Sequence, residues 1–342
     1  MEDSITIVLD SHELLSGICG ANDGNLKVIE GSLGGRIAAR GNEIRLEGVD
    51  EAGLRRFKKM MDDLIAVVRE GDSPSPDYIR ALAGTLVPPA GGDTPDAENP
   101  GAGDASGPAV PVPAGEAPES LRDAMIQIPH GFQRVYPRSG NQAAYIYGMR
   151  SCDISFCVGP AGTGKTYLAI AEALRLVLSK KMRKLVLTRP VVEAGESLGF
   201  LPGDLAQKIN PYLRPLYDAM ESLVPFEVIR RMEESRAIEI APLAYMRGRS
   251  LNDSAVILDE AQNTTKEQMK MFLTRIGRGA RAVITGDATQ IDLPGRTDSG
   301  LLHAIKILKG LDGIHFAFLH TADVVRNPLI KKIIQAYDEK DV

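Results

Sequence analysis

Gly159-Pro160-Ala161-Gly162-Thr163-Gly164-Lys165-Thr166 is the stretch on which the fold turns. It fits G-x-x-x-x-G-K-[S/T] at every fixed position. A continuous apolar run, Ile154 to Val158, leads into it, and Tyr167-Leu168-Ala169-Ile170-Ala171-Glu172-Ala173-Leu174 follows with helical character. Strand, glycine loop and helix N-terminus together place backbone N–H groups and the positive end of a helix dipole around an anion. Lys165 is expected to reach the β- and γ-phosphates of a nucleotide, and the Thr166 hydroxyl to sit on Mg2+.

Further along, Ala255-Val256-Ile257-Leu258-Asp259-Glu260-Ala261-Gln262 reads as a buried strand ending in two acids. Asp259 is expected to hold Mg2+, usually through water, and Glu260 to polarise the attacking water as general base. A GTPase would carry D-x-x-G and a downstream N-K-x-D for guanine; this chain has neither, and ATP hydrolysis is the better fit. A second apolar strand, Arg281 to Thr285, ends in Gly286-Asp287-Ala288-Thr289-Gln290. Gln290, a polar amide at a strand tip, is the expected sensor of the γ-phosphate. Asp287 either positions the water or caps the turn.

Apolar strands near 154–158, 184–188, 255–259, 281–285 and 314–319 alternate with helical segments, with a short addition at 237–240. That alternation predicts an α/β fold, a doubly wound parallel sheet with right-handed crossovers and its ligand at the C-terminal edge. Residues 198–232 read as a helical insertion over one edge.

The remainder of the chain sets the context. Its 342 residues leave room for two domains, and no run of 18 apolar residues exists to span a membrane. MEDSITIVLD lacks the basic start and apolar core of a signal peptide, and Cys19, Cys152 and Cys157 show no paired spacing. The expectation is a cytoplasmic chain with reduced thiols. The net charge of −5 hides an asymmetry: residues 81–121 hold six acids and no Lys or Arg, so the rest is close to +1. Of those 41 residues 24 are Pro, Gly or Ala, the composition of a disordered linker. Three parts are therefore expected: a small domain at 1–72, a linker at 73–121, and an ATPase domain at 122–342.

In the small domain, residues 4–9 read as a strand. A short helix follows, entered through Gly20-Ala21-Asn22-Asp23-Gly24, then two strands turning at Arg40-Gly41-Asn42, then a helix from Asp50 to Val68. This β-α-β-β-α order resembles a KH-type RNA-binding domain, which clamps nucleotides with a GxxG turn at a helix entrance. Here the spacing is GxxxG with an acid, Asp23, inside. RNA contact and protein docking both remain open for this part.

The ordered set GPAGTGKT, LTRPVVEAGESLGFLPGD, LDEAQNTT, TGDATQIDLP and DVVRNPL resembles the PhoH-like proteins, P-loop ATPases related to the RecA-like domain of superfamily-one helicases. The resemblance spans roughly 125–335 and implies an ATPase in RNA metabolism, with a possible partnership with an endoribonuclease that matures ribosomal RNA. Tyr136-Pro137-Arg138-Ser139-Gly140-Asn141-Gln142 matches the helicase segment that reads adenine, which makes Gln142 the expected base reader, against an exposed helix-start glutamine. Thr188-Arg189-Pro190 matches a strand end that contacts the nucleic-acid backbone in helicases. In the basic loop Tyr245-Met246-Arg247-Gly248-Arg249-Ser250, Arg247 and Arg249 are expected either to contact RNA phosphates or to form salt bridges. Only one RecA-like lobe is present. Arg326 is therefore the expected arginine finger for a neighbouring subunit's γ-phosphate, in a ring or other head-to-tail homo-oligomer. The alternative is an ATP-gated assembly module that docks an endoribonuclease without unwinding RNA.

Overall fold

The computed structural model describes residues 4–86, 121–130, 132–190, 205–293 and 299–324. Two compact units result, Met1–Met125 with Tyr136–Ala143, and Ile126–Val135 with Ala144–Val342.

The first unit runs β1 (Ser4–Val8), α1 (His12–Cys19), α2 (Gly24–Leu33), β2 (Arg36–Arg40), β3 (Glu43–Glu47), α3 (Glu51–Arg69) and α4 (Pro76–Leu86). Its three strands form an antiparallel sheet in the order β1-β3-β2. As the alternation required, Ile44 and Leu46 turn inward and are fully buried. The sequence also places Leu54, Phe57, Met61, Leu64, Ile65 and Val68 on one face of α3; Phe57, Met60, Met61, Leu64 and Val67 are buried, whereas Leu54, Ile65 and Val68 are only partly buried.

Two helices depart from the expected β-α-β-β-α order. α1 has only eight residues, too few for its period to stand out, yet Ser11 caps it by accepting from Leu14 N at 3.2 Å and Leu14, Leu15 and Ile18 are buried. α4 lies inside the stretch 73–121 assigned to the linker. Its Tyr78, Ile79 and Leu82 are buried, so the small domain extends at least to residue 86. The Pro, Gly and Ala of the following residues swamp this short apolar pattern in any wide compositional window. The rest of the expected linker, 87–120, lies outside the described residues. Asn25 ties the helices together, with Nδ2 donating to Ile18 O and Pro74 O, each at 3.0 Å.

The second unit begins with a two-stranded antiparallel pair, β4 (Ile126–Gln127) and β5 (Arg134–Val135), followed by α5 (Gly140–Ser151). Then come β6 (Ile154–Val158), α6 (Lys165–Leu178), β7 (Lys184–Arg189), α7 (Leu205–Glu221), α8 (Phe226–Glu234) and β8 (Ile238–Pro242). β9 (Ser254–Leu258), α9 (Lys266–Leu273), β10 (Arg281–Gly286), α10 (Gly300–Leu308) and β11 (Ile314–Phe318) complete it. Six strands form one parallel sheet in the order β11-β6-β10-β9-β7-β8, as expected of an α/β fold. All five residues of β9 are buried, which is why that strand reads as an unbroken apolar run. Alternate residues of the central strands, among them Phe156, Val186, Val256, Leu258 and Ile284, meet Met269, Phe272 and Leu301 on one face. On that same face the Phe156 and Phe316 rings stack at 4.9 Å.

Register is what builds the site. Thr285 pairs with Cys157, Ile284 with Leu258, and Thr188 with Leu258. One step further towards the C-terminal edge, the row across four strands therefore reads Cys157, Thr285, Asp259, Arg189. Asp259 stands between a threonine and an arginine because the strands are aligned that way.

At the β8 edge, Glu239 receives Arg249 Nη2 at 2.9 Å and pairs with Lys184. The Arg249 hydrogen bond, seconded by Lys184, holds the Glu239 carboxyl down at about 2 against its usual 4.5. A depressed carboxylate adds stability above its unfolded value and loses it as pH falls through the folded one. We expect Glu239→Gln to lower the melting temperature at pH 7 by about 2–4 °C, since this half-exposed cluster supplies about 1 kcal/mol. The difference from the parent protein should close between pH 4.5 and about 2 in a pH series of thermal melts.

Candidate functional site

The loop Gly159–Gly164 joins β6 to α6 with Gly162 at φ 82° and Gly164 at φ 79°. These left-handed positions are open to glycine without strain and bend the backbone so that its amides precede the helix N-terminus. Gly159 serves a different need: a Cβ there would stand 2.5 Å from Leu319 O. Lys165, the first residue of α6, is 9% exposed and its Nζ donates to Gly159 O at 2.6 Å and Pro160 O at 2.7 Å. Burial lowers its pKa, against the pull of nearby Asp287, Glu260 and Asp259. The ammonium is bonded to neutral carbonyls on the inside of its own loop.

Thr166 Oγ1 donates to Asp259 Oδ1 at 2.6 Å, and so does Thr285 Oγ1 at 2.7 Å. The other Asp259 oxygen accepts from Arg189 Nε at 2.9 Å. Glu260 is also engaged through both oxygens, Oε1 with Arg189 Nη2 at 2.8 Å and Oε2 with Gln262 Nε2 at 2.7 Å. Successive strand residues point to opposite faces, so two adjacent carboxylates sharing one cavity require a break in the strand. Glu260 supplies it with φ 54°, a left-handed conformation that costs about 1–2 kcal/mol in a residue with a Cβ. The Asp259 side chain is 4% exposed and that of Glu260 is 41%. The first acid is thus shut away from solvent and the second is open to it.

Gln262 is 1% exposed and spends its amide twice, since Oε1 also accepts from Asp287 N at 3.0 Å. It joins the tip of β9 to the tip of β10. Asp287 Oδ1 accepts from Thr289 N and Thr289 Oγ1 in a turn, while Oδ2 is buried with no hydrogen-bond partner. Gly162, Gly164, Lys165, Thr166, Arg189, Asp259, Glu260, Asp287 and Gln290 share the lining of one open cavity of about 310 Å³, and Pro215 and Ala219 of α7 form another part of its wall. The expected edge insertion is therefore a wall of the site.

The donor set suits a divalent cation beside phosphates. A threonine hydroxyl touches a buried carboxylate at a helix N-terminus, and an unpaired carboxylate oxygen lies nearby.

Most of the expected site residues meet at this cavity, including Lys165, Thr166, Asp259, Glu260 and Gln290. Arg189 belongs to it too, turned onto the two acids where a backbone contact to nucleic acid was expected. Arg249 forms a salt bridge with Glu239, the second of its two expected roles, whereas Arg247 is exposed. Gln142 falls in the first unit, where it is 3% exposed and accepts from Arg138 N at 2.6 Å, so it is not an exposed glutamine. Arg326 lies outside the described residues. Gln262 and Thr285 went unassigned in the sequence; their only signal was a polar residue beside each strand tip.

A protein-family model described as PhoH-like protein matches residues 134–338. The PhoH-like protein of Mycobacterium tuberculosis (strain ATCC 25618 / H37Rv) is 44% identical over 325 residues, covering 95% of this chain and 85% of that protein. A PhoH-like protein of Bacillus subtilis (strain 168) is 43% identical over 323 residues, 94% of this chain and 93% of its own. Protein PhoH of Escherichia coli (strain K12) matches at 40% over 205 residues, 59% of this chain and 58% of that one.

Gln262→Leu would remove two hydrogen bonds at once, leaving the buried Asp287 N unsatisfied and Glu260 Oε2 without its amide donor. Such a loss costs about 1–3 kcal/mol. The denaturation midpoint should fall accordingly, and an unchanged midpoint in a urea titration would show that the amide carries no load.

Proposed function

The chain belongs to the PhoH-like family, and from that premise we propose that it binds ATP with Mg2+ and hydrolyses it in the service of RNA metabolism. The observation carrying this reading is that Asp259 and Glu260 both face the cavity that Lys165 and Thr166 line. The amides of Gly159–Thr166 and the Lys165 ammonium, released from its loop carbonyls, receive the β- and γ-phosphates. Thr166 and Asp259 would hold the Mg2+, which when bound screens the phosphate charge. Glu260 takes the proton of a water as its oxygen bonds to the γ-phosphorus and the bond to the β-phosphate oxygen breaks, giving ADP and phosphate. Gln290, exposed at the cavity rim, responds to loss of the γ-phosphate.

Two features support RNA as the partner. Arg247 is an exposed cation on the loop between β8 and β9. In the first unit Gly20–Gly24 joins α1 to α2, with Asn22 and Asp23 at positive φ, in a β-α-α-β-β-α unit of KH-like order. One observation favours the second reading, an ATP-gated module that docks an endoribonuclease. Arg189 and Arg249 both pair with internal carboxylates, which leaves less cationic surface for RNA. Arg326 belongs to the same proposal as a finger supplied in trans within a homo-oligomer.

Calorimetry is expected to show ATP binding by the parent chain and by Glu260→Gln, with turnover in Glu260→Gln reduced by at least about 100-fold. Lys165→Ala should lose binding. Normal hydrolysis by Glu260→Gln removes the base assignment. ATPase measured with and without single-stranded RNA separates the two readings, stimulation supporting the first and its absence the second. Mixing Arg326→Ala with Lys165→Ala, each inactive alone, should restore ATPase if the finger acts across subunits.

A further inference from the structure

We propose that Arg189 is a resident counter-ion of the acidic pair. It neutralises Asp259 and Glu260 while no nucleotide is bound, and it makes the divalent cation and the nucleotide bind cooperatively because only together do they displace it. This rests on the nucleotide-site reading above and assigns to Arg189 a positioning role that the motif does not carry.

The register puts Arg189 beside Asp259, and its guanidinium spans both acids, Nε to Asp259 at 2.9 Å and Nη2 to Glu260 at 2.8 Å. Its side chain is only 15% exposed and that of Asp259 4%, so these two charges share a largely desolvated space, with Glu260 at its open side. Among the described residues, the ion pairs recorded for Asp259 and Glu260 all run to Arg189. Lys165, the other cation lining the cavity, is bonded to Gly159 O and Pro160 O. Taking Arg189 away would therefore remove the ion pairs shown for both carboxylates, a loss that weighs most on the buried Asp259.

That arrangement determines how a cation is received. A divalent ion arriving alone must draw the Asp259 carboxylate away from the guanidinium and break one of its two ion pairs in the cavity. A nucleotide arriving with it supplies phosphate oxygens, for which the planar fork of a guanidinium is suited. Exchange of one anionic partner for another makes the joint binding favourable where the separate event is not. Coupling of this kind is reciprocal between the two ligands. The same contacts hold Glu260 with both oxygens engaged, so the base is withheld until the exchange occurs.

The test uses Mn2+ as a spectroscopic stand-in, titrated into the full chain and followed by electron paramagnetic resonance, without nucleotide and then with a non-hydrolysable ATP analogue. Without nucleotide, Arg189→Met should bind Mn2+ at least about tenfold more tightly than the parent, a difference of about 1.4 kcal/mol. The further tightening on adding the analogue should shrink by the same factor. Arg189→Lys keeps one positive charge but cannot span both acids, so a gain of about two- to threefold is expected; this variant also serves if Arg189→Met does not fold. Adding Asp259→Asn to Arg189→Met should abolish the gain, which places it at this centre. Equal nucleotide-free affinities in the parent and the Arg189 variants overturn the proposal. A parent chain that fails to bind the analogue defeats the nucleotide reading instead, and the nucleotide-free comparison still decides the role of Arg189.

Discussion

Two carboxylates on consecutive residues, at the end of a strand whose five residues are all buried, set the terms for everything around them. Water is largely excluded from Asp259, so its charge must be met by protein groups. Thr166 and Thr285 donate to one oxygen and Arg189 to the other. Glu260 is met from both sides as well, by Arg189 and Gln262. Three chain segments distant in sequence, carrying Thr166, Arg189 and Thr285, thus converge on the two acids, and the sheet register is what brings Arg189 and Thr285 into one row with Asp259.

Sheet order explains how the cradle and the acids cooperate without colliding. β10 lies between β6, which delivers the glycine loop, and β9, which delivers the acids. Neighbouring strands are spaced by about 4.8 Å, so the two functional tips stand roughly 10 Å apart. The intervening strand ends in Gly286, where a Cβ would stand 2.5 Å from Leu301 Cδ2 and 2.9 Å from Gln262 Oε1. A side chain at that position would force apart the link between β9 and β10 that fixes Glu260, so the glycine serves that carboxylate from a distance.

What could be read from the chain was whatever is local. The glycine loop declares itself because phosphate binding depends on consecutive amides, and the central parallel strands because burial on both faces leaves nearly uninterrupted apolar runs. Side-chain partnership was not legible, for it depends on which strand lies beside which. Arg189 ends an apolar strand and looks outward-bound until β7 is seen to pair with β9. Arg249, ten residues from Glu239, falls into a bidentate pair only because the chain turns back on itself after β8. α4 escaped for the opposite reason, since Tyr78, Ile79 and Leu82 form a genuine helical stripe beside a composition that argued against structure.

The strained backbone at Glu260 follows from the same constraint. A strand in regular alternation would aim that side chain away from Asp259, and the left-handed turn brings it back at a cost of about 1–2 kcal/mol. Such a conformation persists only where its surroundings hold it, and here the Gln262 amide and the Arg189 guanidinium do so. The groups that stabilise this conformation of Glu260 are therefore the groups that occupy its oxygens. In the proposed role of base, Glu260 acts only after one contact is given up. Gln262 is buried and tied to the β10 backbone, whereas Arg189 sits at the end of β7 on the wall of an open cavity. Release on the Arg189 side leaves the link between strands intact, so on the proposed reading it is the side from which an arriving phosphate would free Glu260.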